Sequence, residues 1–72
     1  MKGNYFYRRL GNRVTLERRR KKLSQEQLAE SAEIDRTYLA RIEEGKANPS
    51  IKVLNKISAK LKIKVADLLK GV

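Results

Sequence analysis

The chain has 72 residues and a mass of 8.3 kDa, which is enough for one small domain, and we expect residues 1–72 to form it. Cysteine and histidine are both absent, which excludes disulfides, Cys/His zinc sites, thiol nucleophiles and histidine-based catalytic triads. Lys and Arg number 18 against 8 Asp and Glu, so the formal net charge is +10 and the isoelectric point is about 10.3, as is typical of proteins that bind polyanions.

Membrane insertion and secretion are not expected. The longest uninterrupted apolar run has three residues, whereas a membrane span needs about 18. No apolar segment follows Met1 and Lys2, so no secretory signal is visible. We therefore predict a cytoplasmic protein without a membrane partner.

The spacing of apolar residues predicts five short helices. The first spans about Tyr5 to Lys22 and carries Phe6, Leu10 and Val14 on one stripe. Its aromatic cluster, Tyr5 to Tyr7, is expected to pack in the core or at an interface, with base stacking as the alternative.

Capping residues mark the next two helices. Ser24 and Gln27 have the spacing of a capping box, which starts a helix over about Gln25 to Ala32. Asp35 is the expected N-cap of a third helix, Arg36 to Glu44, and a glycine follows as its stop. The predicted inward residues of these two helices are Leu28, Ala29, Ala32, Leu39 and Ile42.

The remaining chain predicts two more helices. Ser50 is the expected cap of a fourth helix, and a short fifth helix is expected from Val65 to Lys70, ending at Gly71. Because no segment alternates like a strand for more than three residues, the predicted class is all-α. The apolar face of the fourth helix contains Ile51, Leu54, Ile57 and Leu61.

The second and third helices have the residue sizes of a helix-turn-helix. Ala29 is small where a second helix must cross closely, and Ile34 is apolar just after the turn. Leu39 and Ile42 would face back onto the second helix. In this motif the later helix enters the DNA major groove, which makes the third helix the predicted recognition helix.

Longer strings strengthen that interpretation. Leu23 to Ala29 reads LSQEQLA and Arg41 to Ser50 reads RIEEGKANPS, and over about residues 10–70 the chain closely resembles the Cro/phage-repressor (XRE) helix-turn-helix family. Asp35 to Tyr38, DRTY, is most similar to small restriction–modification controller proteins. The resemblance implies a compact, lambda-repressor-like five-helix bundle that regulates transcription. It would be nucleoid-associated and bind an inverted-repeat operator in double-stranded DNA as a homodimer.

Other functional classes fit less well. No metal, cofactor or small-molecule ligand is expected, and no Walker or dinucleotide-binding glycine loop is present in the sequence, so we do not expect an enzyme. An antitoxin-like module that masks a protein partner and binds DNA secondarily stays open. A binder of anionic membrane surfaces is disfavoured by the absence of Trp and the single Phe.

The chain departs from the family pattern at several helix ends. The usual order of an acid followed by leucine is reversed at Leu16 and Glu17, which leaves the third inward residue of the first helix open. Lys64 takes the place of a Ser or Thr cap. The family usually has glycine at three positions that hold other residues here: Lys22, Glu33 and Lys62. If these positions need a positive φ, each would cost about 1 kcal/mol.

Base contacts are predicted for Arg36, Thr37 and Arg41, on the flank that the apolar residues of the third helix leave exposed. Arginine is the common bidentate partner of guanine O6 and N7. The alternatives are a solvated helix face and, for Arg41, an ion pair with Glu44.

Contacts to the DNA backbone are predicted for five residues. Ser24 and Gln25 begin the second helix, where amides and the helix dipole favour a phosphate. The family resemblance implies that Gln25 holds a phosphate or reaches a base edge, whereas capping is the preferred role of Ser24. Tyr38, Lys46 and Asn48 flank the recognition helix, and a solvated rim is nearly as well supported for them.

Arg18 begins the basic run that extends to Lys22. The family resemblance implies a partly buried structural ion pair between Arg18 and Glu43. The rest of the run is either charge that faces the DNA backbone or a solvated face.

Dimerisation is expected because a core of this size rarely supplies more than about 3–5 kcal/mol, and neither disulfides nor a metal can reinforce it. The C-terminal segment has more apolar surface than a short terminal helix can bury. We therefore predict a dimer interface there, made by Ile63, Val65, Leu68, Leu69 and Val72.

Overall fold

The structure, a computed structural model, describes the backbone of residues 2–71 and the side chains of residues 5–71. Residues 2–71 contain no strand, so the predicted all-α class with five helices is confirmed. The bundle measures 31 × 22 × 21 Å and has a radius of gyration of 10.8 Å. Its helices are α1 (Lys2–Arg20), α2 (Gln25–Ala32), α3 (Arg36–Glu43), α4 (Ile51–Leu61) and α5 (Val65–Leu69).

One hydrophobic core holds the helices together. α1 packs along α3 and against α5, while α2 packs on both α3 and α4. All five inward residues predicted for α2 and α3 are buried, which confirms that the apolar spacing of these helices marks their core-facing sides. The core cluster consists of Leu10, Val14, Leu28, Ala29, Leu39, Ile42, Leu54, Ile57, Leu61 and Leu68.

Side-chain caps start α2 and α4, as the sequence predicts. Ser24 Oγ accepts a hydrogen bond from the Gln27 amide at 3.0 Å, and Gln27 Oε1 accepts one from the Ser24 amide at 2.8 Å. Ser50 Oγ accepts a hydrogen bond from the Val53 amide at 3.1 Å. These bonds satisfy amides that have no partner inside the helix, and each cap stabilises the fold by about 1 kcal/mol.

The starts of α3 and α5 differ from expectation. Asp35 has the extended backbone of an N-cap, but its carboxylate accepts no capping hydrogen bond, so the predicted side-chain cap of α3 is wrong. At α5 the absent Ser or Thr is replaced functionally by Asp67, whose Oδ2 accepts a hydrogen bond from the Lys64 amide at 2.9 Å.

Three positions at or just after helix ends adopt the left-handed backbone without glycine. The φ angle is 60° at Lys22, 58° at Glu33 and 60° at Lys62. In this conformation the Cβ atom approaches the following carbonyl oxygen, at a cost of about 1–2 kcal/mol per residue. The strain anticipated from the missing glycines is therefore present at all three positions.

Gly11 allows α1 and α3 to approach each other closely. A Cβ atom at this position would clash with the carbonyl oxygen of Ile42 and lie 2.7 Å from that of Glu43. Gly45, after α3, has a φ of 76°, and a Cβ there would lie 2.7 Å from Arg8 Cα. These two glycines set the distance between α1 and the C-terminal end of α3.

Four predicted helix bounds, in three helices, are wrong. α1 begins at Lys2 rather than Tyr5 and ends at Arg20 rather than Lys22, because the positive φ of Lys22 cannot continue a right-handed helix. α3 and α5 each end one residue earlier than predicted, at Glu43 and Leu69.

Part of the predicted apolar packing is also wrong. In α1, Glu17 occupies the inward position beside Leu16, and its carboxylate lies 3.4 Å from Arg13 Nε and 3.2 Å from Arg20 Nη1. Core packing of the aromatic cluster does not hold for Tyr5 and Phe6, which are both exposed. Phe6 and Ile51, both expected on inward faces, lie at the surface. Leu16, whose position the sequence left open, is exposed as well.

No helix in residues 2–71 is both long and apolar enough to cross a membrane.

Candidate nucleic-acid interface

The outer face of α3 brings the three predicted base-contacting residues together. Leu39 and Ile42 expose only 0% and 1% of their surface, which fixes one face of α3 against the core. Arg36, Thr37 and Arg41 are all exposed. Thr37 and Arg41 lie about one helical turn apart, and Arg36 is the first residue of the helix. Two guanidinium groups and a hydroxyl therefore project from one short, rigidly packed helix.

Arg41 is also anchored to the loop that follows α3. Its Nη2 donates a hydrogen bond to the carbonyl oxygen of Lys46 at 3.1 Å. A guanidinium has five N–H donors, so this bond leaves donors for a base edge. The alternative ion pair between Arg41 and Glu44 is not formed within residues 5–71. Glu44 pairs instead with Lys46, whose Nζ lies 3.8 Å from Glu44 Oε1.

Gln25 links the start of α2 to the end of α3. Its side chain is half-buried, and Nε2 donates a hydrogen bond to Glu43 Oε1 at 3.0 Å. Sequence reasoning assigned Gln25 to DNA alone and missed this bond, because the two residues meet only when α2 packs on α3. A side-chain amide has two N–H donors and an acceptor oxygen, so a phosphate contact is compatible with the bond.

The ion pair expected between Arg18 and Glu43 is present in the structure. Arg18 Nε lies 2.8 Å from Glu43 Oε2, and Nη2 donates to Oε1 at 3.1 Å. Nη1 donates to the carbonyl oxygen of Leu23 at 2.7 Å. Both charged side chains are buried, and the bidentate geometry is the strong form of this interaction.

The environment of Glu43 favours its ionised form. Burial raises the pKa of this carboxyl, but hydrogen bonds from Arg18 and Gln25, together with the positive charge of Arg18, outweigh burial. The net result is a pKa below the ordinary value for glutamic acid. Glu43 is therefore a charged acceptor that holds α1, α2 and α3 in one arrangement.

The remaining residues predicted to contact the DNA backbone surround α3 at different depths. Ser24, Lys46 and Asn48 are exposed, whereas Tyr38 is half-buried and packs against the core. The basic run that follows Arg18, residues 19–22, is exposed throughout. Lys46 and Asn48 follow α3 directly in the chain, and Ser24 lies at the start of α2, which packs on α3, so these three positions form a polar margin beside α3.

The predicted dimer interface needs one correction. Leu68 exposes none of its surface and belongs to the core, because α5 turns this side chain onto the bundle. It is therefore not available to a second copy. Ile63, Val65 and Leu69 are half-buried, and Val72 lies outside the described residues.

Comparisons with known proteins identify the family to which the fold belongs. The family model described as helix-turn-helix (HTH_3) matches residues 16–68. Control protein C.MunI of a Mycoplasma species is 43% identical over 65 residues, which are 89% of this chain and 88% of that protein. Other curated relatives, among them HTH-type transcriptional regulators, are longer, and the chain spans between 40% and 55% of their length.

Two solved structures superpose closely on the bundle. The restriction-modification controller protein C.AhdI from Aeromonas hydrophila has a TM-score of 0.85 and 34% identity, covering 86% of this chain and 94% of that chain. The master regulator for biofilm formation SinR in complex with DNA has a TM-score of 0.82 and 40% identity, covering 85% of this chain and 98% of that chain.

Proposed function

Because this chain belongs to the Cro/C1-type helix-turn-helix family, we propose that it regulates transcription by binding a specific operator in double-stranded DNA through α3. The observation that carries the proposal is the exposed group of Arg36, Thr37 and Arg41 on a helix whose other face is fixed in the core. An α-helix fits the major groove, which is about 12 Å wide, and arginine can bond guanine O6 and N7 together.

The polar margin beside α3 would hold the DNA backbone. Lys46 and Asn48 are exposed beside the recognition helix, and Ser24 and Gln25 lie at the N-terminus of α2, where backbone amides favour a phosphate. Tyr38 is half-buried, so it offers less surface to a phosphate than the exposed Lys46 and Asn48 do. Such contacts orient the protein on the duplex without reading sequence, and the net charge of +10 adds long-range attraction.

The proposed active form is a homodimer on an inverted repeat. Ile63, Val65 and Leu69 leave apolar surface at the C-terminal end of the bundle, and a second copy related by a two-fold axis would cover it. The two recognition helices would then occupy half-sites about 34 Å apart, one turn of DNA.

We propose further that the regulator acts in the cytoplasm on the nucleoid, as a controller of a restriction–modification system. C.AhdI, a restriction-modification controller, matches this chain over 94% of its own length. Control by dimerisation and by protein concentration needs no cofactor, metal or catalytic residue.

Selection from a pool of random duplexes tests the proposed function. The wild-type chain should enrich an inverted repeat with half-site centres about 10 bp apart. Arg36→Ala and Arg41→Ala should each relax one base position per half-site, since a bidentate contact provides about 1–3 kcal/mol of discrimination. Lys60→Ala removes the same charge from an exposed position of α4 and should leave the selected sequence unchanged.

Lys46→Ala distinguishes positioning from reading. It should weaken binding to the selected operator and to random duplex alike, and reduce the salt dependence by about one counterion. If the wild-type chain enriches no sequence, or if both arginine variants select the same sites with equal stringency, the base-reading proposal is wrong. A module that masks a protein partner would then be the better account.

A further inference from the structure

A basic groove lies between the outer side of α1 and the end of α5. It has a volume of about 290 Å³ and is lined by Arg9, Asn12, Arg13, Leu16, Lys70 and Gly71. None of these side chains is assigned to the DNA interface or to the C-terminal apolar surface. Three of the six residues are cationic, and none is acidic.

The groove faces away from the recognition helix. Gly11 and Arg18 mark the side of α1 that contacts α3. At about 100° per residue, Arg9, Arg13 and Leu16 lie roughly 140–160° around the helix from Gly11. A ligand in the groove and a duplex against α3 would therefore occupy opposite sides of α1.

The lining combines positive charge with exposed apolar surface. Leu16 exposes 45% of its surface and Tyr5, beside the groove, 63%. The Arg9 guanidinium lies 5.3 Å from the centre of the Tyr5 ring and donates a hydrogen bond to the Gly71 carbonyl oxygen. Arg13 Nε is buried, lies 3.4 Å from Glu17 Oε2 and makes no hydrogen bond within the described residues.

We propose that this groove binds an acidic peptide segment of a protein partner, with carboxylates against Arg9, Arg13 and Lys70 and an apolar side chain on Leu16. Charge complementarity selects an anionic partner. The exposed Leu16 and Tyr5 favour a peptide over DNA, because a phosphate backbone offers no apolar group to cover them. Regulator and partner would then assemble on DNA without competition for α3.

A labelled peptide of alternating Glu and Leu residues is the probe, with fluorescence anisotropy of the 72-residue chain as the measurement. Arg9→Glu and Lys70→Glu should each weaken binding by about tenfold, which is 1.4 kcal/mol. Lys60→Glu makes the same charge change at an exposed position of α4 that does not line the groove. This variant should alter the dissociation constant by less than about twofold. Circular dichroism of each variant is the control for folding, and all three spectra should match that of the wild type.

Two further comparisons separate a peptide site from general electrostatic attraction. Replacing the Leu residues of the probe with Ser should weaken binding by about tenfold or more, because the Ser probe has no apolar side chain to cover Leu16. Random duplex DNA at a concentration that saturates the protein should leave the bound probe in place. The proposal fails if Lys60→Glu weakens binding as much as the groove variants do. It also fails if the Ser probe binds equally well, or if random duplex displaces the Leu probe.

Discussion

Arg18 of α1 and Glu43 of α3 form a buried, bidentate ion pair that Gln25 of α2 joins through a hydrogen bond to Glu43 Oε1. The same guanidinium bonds the Leu23 carbonyl oxygen in the turn before α2. One carboxylate and one guanidinium therefore fix the end of α3 relative to α1 and to the start of α2. The exposed arginines of α3 depend on this arrangement for their position.

Removing either partner of the pair should destabilise the fold. Arg18→Ala leaves a buried carboxylate without its counter-charge, and such changes cost about 3–5 kcal/mol. Because this is comparable to the whole stability expected of so small a domain, urea unfolding should be followed in buffer containing sucrose, which stabilises folded states.

A double-mutant cycle isolates the interaction itself. Combining Arg18→Ala with Glu43→Ala should give a coupling energy above about 0.5 kcal/mol. Arg19→Ala, at the next and exposed position of α1, is the matched control and should change the free energy of unfolding by less than about 0.5 kcal/mol. Strictly additive losses for Arg18 and Glu43 would contradict a direct interaction.

The lowered pKa of Glu43 makes this stabilisation depend on pH. The folded state keeps the carboxylate ionised at pH values where the unfolded chain protonates it, so its contribution is complete above the unfolded pKa of about 4.3. The contribution is lost as the pH falls through the lower, folded pKa. The difference in unfolding free energy between wild type and Glu43→Gln should therefore shrink on acidification below about pH 4.3. A difference that stays constant there would contradict the assignment.

Gly11→Ala should disrupt the packing of α1 on α3. The added methyl group would clash with the Ile42 carbonyl oxygen, and overpacking of this kind costs about 1–3 kcal/mol or more. Asn12→Ala, at the next and exposed position of α1, is the control and should change the free energy of unfolding by less than about 0.5 kcal/mol. Thermal unfolding of both variants checks this, and equal transition temperatures would show that α1 and α3 can separate without cost.

Lys62→Gly should stabilise the chain, against the usual effect of glycine. It relieves left-handed strain of about 1–2 kcal/mol at a C-cap, while the greater freedom of the unfolded chain costs about 0.5–1 kcal/mol. The net gain in unfolding free energy should lie between about 0 and 1.5 kcal/mol. Lys60→Gly, inside α4, should instead lose about 1 kcal/mol. A loss of similar size in both variants would mean that Lys62 is not strained.

Local sequence signals predicted much of the fold correctly. The Ser24 and Ser50 caps and the buried sides of α2 and α3 follow from the spacing of residues within single helices. The left-handed positions could be anticipated as well, because the family resemblance implied glycine at each of them.

Contacts between helices were less accessible from sequence. The role of Gly11 depends on how closely α1 crosses α3, and the Gln25–Glu43 bond depends on the packing of α2. The spacing of Leu68 and Leu69 gave no sign of which one the bundle would cover. At the candidate interface, the sequence predicted which residues are exposed on α3, whereas the hydrogen bond from Arg41 to the Lys46 carbonyl oxygen required the folded structure.

Methylation interference on the selected operator tests most directly the claim that α3 reads bases in the major groove. Guanine N7 lies in that groove and is one of the two atoms that a bidentate arginine contacts. For the wild-type chain, N7 methylation of particular guanines in each half-site should block binding. Arg36→Ala or Arg41→Ala should abolish the interference at one guanine per half-site and retain it at the others. If the wild-type chain and both arginine variants give the same interference pattern, these arginines do not read bases and the account of α3 as a recognition helix is wrong.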